Sequence, residues 1–161
     1  MIWVANSGLS VELRDTAFKM VRHQIKRSFF AETGGILIGR YGSNQMRAII
    51  EQATGPGIGS LRSRFSFVRG TRTLQRKLDS AAVEGLYYLG EWHCHPGAYN
   101  SPSKTDIDSM RHIAGSALYH CPEPVLIVFS REDPENLNSA ILVYRGNIEE
   151  LMRLDIHAAG N

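Results

Sequence analysis

The stretch GEWHCHPGAYNSPSKTD, Gly90 to Asp106, holds two histidines, a serine and an aspartate close together. His93 and His95 stand one residue apart. Along a β-strand alternate side chains share a face, so the two imidazoles point together and Cys94 points the other way. Two imidazoles on one face can bind a divalent ion, and zinc is the commonest partner for nitrogen ligands. Asp106 supplies a third ligand after a loop containing Pro96, Gly97 and Pro102. Two histidines and a carboxylate leave one tetrahedral position for water, whose pKa zinc lowers to about 7. The same residues allow a plainer reading. Ser103-Lys104-Thr105-Asp106 fits a helix start in which serine and the acid satisfy free backbone N–H groups. Residue types and spacing leave both readings open.

Other polar residues have weaker claims. Glu91 shares the face of His93 and His95 and is a rival base, but Gly90 before it and Trp92 after it suit a structural role. Asp108 has the wrong spacing from Ser103 and solvates a helix. His23, His112, His120 and His157 have no partner at ligand spacing. Cys94 reads as a small packed residue. Ser101 and Ser103 lie near histidines, yet no G-x-S-x-G elbow is present. A zinc deaminase needs H-x-E with P-C-x-x-C, and Cys121 stands alone.

The elements that must place these residues are legible from periodicity. Ile2 to Ala5 reads as a short strand. From Val11 to Phe29, Leu13, Ala17, Phe18, Val21 and Ile25 recur at helical spacing, with Ser10 as the cap. The glycine pair of ETGGILIGRY opens a buried strand, paired with QMRAIIEQAT across the YGSN turn. Gly55 to Ser60 is a glycine-rich loop, and RFSFV alternates as a strand. TRTLQRKLDSAAVEG is a second helix with Gly85 as C-cap. LYYLGEWHCH is a strand that delivers His93 and His95 to its end, and a helix runs from Ser103 to about His120. EPVLIVFS and NSAILVYRG pair as strands, and NIEELMRLDIHA reads as a closing helix. The order predicts one α/β (α+β) domain over 1–161, a mixed β-sheet flanked by helices.

Composition narrows the classes. The 161 residues are 43% hydrophobic and 21% charged, as in an ordinary globular domain. A net charge of +2 makes no electrostatic case for nucleic acid, although arginines are spread along the chain. Two cysteines are too few for a disulfide framework, and no apolar run approaches the roughly 20 residues that span a bilayer. With no signal-peptide pattern at the N-terminus, a reducing cytoplasm is expected.

The motif residues resemble a known family. HCHPGAYNSPSKTD resembles the JAMM motif of the MPN+/JAB zinc metallopeptidases: H-(S/T)-H-P, seven residues counted from the proline, then S-x-x-D. The family also carries an upstream glutamate before a strand with a glycine pair, which AETGGILIGRY matches with Glu32. Cys94 departs from the pattern, which usually has serine or threonine there. The resemblance implies a cytidine-deaminase-like fold and one Zn2+ held by His93, His95 and Asp106. It implies Glu32 as the catalytic general base and Ser103 as the donor to the oxyanion. It further implies an isopeptidase acting on a protein conjugated through its C-terminus. This stand-alone form looks most like the deconjugating peptidases of CBASS anti-phage operons, whose substrate is a cyclic-oligonucleotide synthase. The same chemistry would serve a processing peptidase for a ubiquitin-like sulfur carrier, and a non-catalytic MPN scaffold keeps the fold alone. A RadC-like, DNA-associated role finds no basic patch or helix-turn-helix. An isopeptidase needs a groove for an extended tail, and Gly55 to Val68, with Arg62 and Arg64, is the expected wall.

Overall fold

The computed structural model describes residues 1–28, 31–57, 61–62, 67–68, 71–97, 101–132 and 140–154. Eight strands close into a mixed barrel in the order β1-β10-β9-β8-β7-β3-β4-β2. They are β1 (Ile2–Val4), β2 (Ser10–Leu13), β3 (Thr33–Tyr41), β4 (Arg47–Ala53), β7 (Tyr87–His95), β8 (Val125–Ser130), β9 (Ala140–Arg145) and β10 (Asn147–Arg153). Two short strands, β5 (Leu61–Arg62) and β6 (Phe67–Val68), pair separately. Three helices, α1 (Asp15–Arg27), α2 (Thr71–Val83) and α3 (Lys104–Gly115), complete the described elements. The expected mixed sheet with helices is present, curled into a closed ring. Among the described residues no helix is long and apolar enough to cross a membrane.

Two expected elements differ. The first helix starts at Asp15, not Val11, and Ser10 is no cap: Ser10–Leu13 is a strand, antiparallel to β1 and parallel to β4. Leu9, Val11 and Leu13 are fully buried at period two. Leu13 also continues the four-residue series of Ala17, Val21 and Ile25 on α1, so helical spacing ran back through the strand. The closing helix is also a strand. Gly146, at φ +79°, turns the chain tightly, and β10 pairs with both β9 and β1 to shut the barrel. α3 ends at Gly115, short of His120, which adopts φ +48° after a turn. Gly85 is the expected cap: at φ +71° it and Leu86 donate to the Ala82 and Ala81 carbonyls. Residues 58–60 and 63–66 of the expected groove wall, Arg64 among them, lie outside the described residues.

β7 is the spine of the molecule. Trp92 and Cys94 face a core with Leu37, Val125, Ile127 and Phe129, and the buried side of α1 joins it. On the other face, α2 packs over Ile36, Ile38 and Tyr88, and Met110 of α3 packs over Leu126 and Val128. Each fully buried Val or Leu contributes about 1.5–3 kcal/mol, so a site on β7 rests on a rigid support. Gly35 permits close packing there, because a Cβ would fall 2.1 Å from the Thr54 carbonyl oxygen. The Trp92 indole N–H donates to that same oxygen at 2.9 Å.

Candidate active site

His93 and His95 sit at the carboxyl end of β7, and α3 begins after the loop that follows. Because β7 and β8 are parallel neighbours, α3 is the crossover between them. Crevices beyond the carboxyl ends of such strands are where α/β sheets place ligands. The Ser103–Asp106 start is a complete capping box. Ser103 Oγ accepts from the Asp106 amide at 3.2 Å, and Asp106 Oδ2 accepts from the Ser103 amide at 2.7 Å. The plainer reading of these two residues is therefore correct as far as it goes. The cap also aims Asp106 at β7.

Asp106 is buried and meets both histidines. Its Oδ1 lies 2.8 Å from His93 Nδ1, and its Oδ2 lies 3.8 Å from His95 Nε2. Ser103 Oγ donates to Oδ2 at 2.7 Å. Burial would raise the Asp106 pKa, but hydrogen bonds from His93 and then Ser103 bring it down to about 2. Burial likewise works against a charged His93. Hydrogen bonds to Asp106 and Glu91 overcome it and lift His93 to about 9. With a carboxylate at each nitrogen, the charged imidazolium is the favoured form of the ring. Among the described residues no three His, Cys, Asp or Glu side chains stand as a ready metal-holding group; His93 is paired with Asp106 and Glu91.

Glu32 lies one residue before β3. Thr33 pairs with Cys94 and Gly34 with His93, so Glu32, one residue beyond the ladder, comes at the His95 end of β7. Burial raises its pKa, His93 and His95 lower it, and Asp106 raises it. The expected residues Glu32, His93, His95, Ser103 and Asp106 thus gather at one end of β7. Cys94 packs into the core instead, where burial lifts its thiol to about 11.

Glu91 is not a second base open to solvent. It is buried; its Oε2 lies 3.4 Å from His93 Nε2, and the Tyr88 hydroxyl donates to Oε1 at 3.1 Å. Tyr88 and Glu91 share a face only because the ladder slips at Leu37/Ile38, opposite Leu89 and Gly90. Gly90, at φ +143°, allows this bulge: a Cβ there would meet the Val125 carbonyl oxygen at 1.9 Å. Sequence reading missed Tyr88. Strict alternation puts residues 88 and 91 on opposite faces, and glycine inside the strand was the available signal.

Comparison with known proteins shows the family of the chain. Residues 15–144 match the family described as prokaryotic homologs of the JAB domain. The chain is 47% identical over 97 residues to a CD-NTase/cGAS isopeptidase of Enterobacter hormaechei subsp. hoffmannii (strain UCI 50), covering 60% of this chain and 54% of that protein. It is 33% identical over 81 residues to a CD-NTase/cGAS isopeptidase of Escherichia coli (strain TW11681), covering 48% and 51%. The chain spans about half the length of these curated relatives. A solution structure of a Desulfitobacterium hafniense protein superposes with TM-score 0.64 at 18% identity, covering 87% of this chain and 88% of that one, so the two share a fold. The match takes in the Glu32 segment, the H-x-H strand and the capped helix together, and the chain belongs to the prokaryotic JAB-domain family.

Proposed function

We propose that this chain is a zinc-dependent isopeptidase that hydrolyses the bond after the C-terminus of a conjugated protein. The observation that carries this reading is that Asp106 lies beside both His93 and His95, with Glu32 close enough to feel all three and Ser103 bonded to Asp106. The donor set suits zinc. In a tetrahedral site with bonds near 2.1 Å, neighbouring donors stand about 3.4 Å apart. The 3.8 Å between Asp106 Oδ2 and His95 Nε2 is near that value, whereas the 2.8 Å between Asp106 Oδ1 and His93 Nδ1 is a hydrogen bond that must open to admit an ion. His93, His95 and Asp106 would hold the ion once His93 gives up its proton. Bound zinc supplies a lowered water pKa and a polarised scissile carbonyl.

The chain's own groups do the rest. Glu32 takes a proton from the attacking water and returns it to the leaving lysine amine as the C–N bond breaks. Its raised pKa suits a group that must hold that proton in transit. The Ser103 hydroxyl now donates to Asp106 Oδ2. Rotation about one bond turns it toward the carbonyl oxygen as negative charge builds there. Glu91, supported by Tyr88, fixes the ring of His93, the usual duty of a carboxylate behind a ligand histidine.

The relatives' name supports a CD-NTase/cGAS protein as the conjugated substrate, and we extend this reading to a role in anti-phage defence. The test is a CD-NTase joined through its C-terminal carboxyl to a lysine amine of a second protein. Cleavage at that junction, lost on chelation and restored by zinc, is expected. An intact conjugate after zinc loading contradicts the proposal. Trimming of a sulfur carrier instead would move the same chemistry to the second substrate class.

A further inference from the structure

We infer that Arg131 is a positioning residue that ties the Glu32 segment to the end of the strand carrying His95. The inference rests on the isopeptidase reading for its catalytic consequence alone.

Glu32 lies just outside the β3–β7 ladder, whose first pair is Thr33 with Cys94. Its placement needs another restraint. Arg131 directly follows Ser130, the β8 residue paired with His95, and the Arg131 amide donates to the His95 carbonyl at 3.2 Å. Its guanidinium turns the other way. Nη2 donates to the Ala31 carbonyl at 2.7 Å, which is the peptide linking Ala31 to Glu32. Nη2 also meets Ser28 Oγ at 2.6 Å, and Nη1 meets the Ile25 carbonyl at 3.3 Å. Ser28 Oγ in turn donates to that Ile25 carbonyl at 2.9 Å. One residue therefore grips both the peptide before Glu32 and the peptide after His95.

The residue type matters. A guanidinium spreads several donors in a fixed plane, whereas lysine offers one compact ammonium. Arginine also places positive charge at the C-terminal end of α1, where free carbonyls favour it. Lysine keeps that charge, so comparing the two separates helix capping from placement. Misplacing a reacting group by about 1 Å can cost about 10²-fold in rate.

The test uses Arg131→Lys and Arg131→Met with three readouts: amide hydrogen exchange of the zinc-free proteins, zinc per chain, and steady-state kinetics on the conjugate. In both variants we expect exchange at residues 31–33 to rise at least about 10-fold, with Leu126 to Phe129 unchanged. Zinc content stays at the wild-type value, kcat falls about 10–100-fold and KM stays within about 2-fold. If Arg131→Lys keeps wild-type exchange and kcat, or if lost activity merely follows lost zinc, the inference is overturned. A zinc-loaded wild type that cleaves nothing sinks the isopeptidase reading instead, while the exchange data still decide whether Arg131 holds the segment.

Discussion

His93 Nδ1 and Asp106 Oδ1 lie 2.8 Å apart, so the end of β7 and the first turn of α3 are joined by a proton between two proposed ligands. The two carboxylates favour the charged ring of His93, whose second nitrogen faces Glu91. The arrangement is a closed acid–base cluster, and a metal must displace a proton to enter it.

Zinc uptake should therefore release protons. With His93 at about 9, a zinc-free sample at pH 7.5 holds its imidazole charged, and binding frees about one proton per ion from this ring. Calorimetry in buffers of different ionisation heat measures it. A heat independent of buffer would contradict a charged His93 that yields its proton to the ion.

The zinc-free protein should have a window of greatest stability. His93 is raised from 6.5 to about 9, so its contribution is complete below 6.5 and fades as pH rises through about 9. Asp106 is lowered from 3.8 to about 2, so its contribution is present above 3.8 and fades as pH falls through about 2. Thermal melts of chelated protein should peak between those limits. His93→Gln should flatten the alkaline side.

Glu32→Gln should bind zinc as the wild type does and lose about 10²–10⁴-fold in kcat, the range of general acid–base catalysis. Metal analysis beside kinetics checks both halves. Wild-type turnover in this variant would return Glu91 to consideration as the base.

Ser103→Ala should act twice, because one side chain caps α3 and faces the proposed oxyanion. Losing the cap costs about 0.5–2 kcal/mol, seen in denaturant melts. Losing the donor costs about 10²–10³-fold in kcat. A stability loss with unchanged kcat would leave Ser103 a cap alone.

Glu91→Gln should weaken zinc affinity about 10–100-fold, since it removes the carboxylate behind His93. Tyr88→Phe should move affinity the same way by less, as it deletes only the hydroxyl bonded to Glu91. Competition against a chromophoric chelator reads both.

The site was more legible in sequence than the fold around it. His93, His95, Ser103 and Asp106 lie within fourteen consecutive residues, and strand alternation plus a helix cap suffice to bring them together. Glu32 needed the family pattern, since its place at the His95 end of β7 depends on a register that local periodicity does not reveal. Leu13 satisfied two periods at once, so β2 was absorbed into α1. Ile148 and Leu151 are three apart, which mimics a helix, yet β10 forms because β1 and β9 each offer an edge. Tyr88 was hidden by the bulge at Gly90, and Arg131 by its distance of 99 residues from Glu32. What was missed is what depends on tertiary pairing.

The most direct test of the central claim is bound zinc per chain, measured in protein purified without added metal, wild type beside Asp106→Ala. About one zinc in the wild type and little in the variant is the predicted result, since two protein ligands seldom hold the ion tightly. Near-zero zinc in both, unchanged when zinc is added back, would contradict it and leave Ser103 and Asp106 as a helix cap on a non-catalytic scaffold.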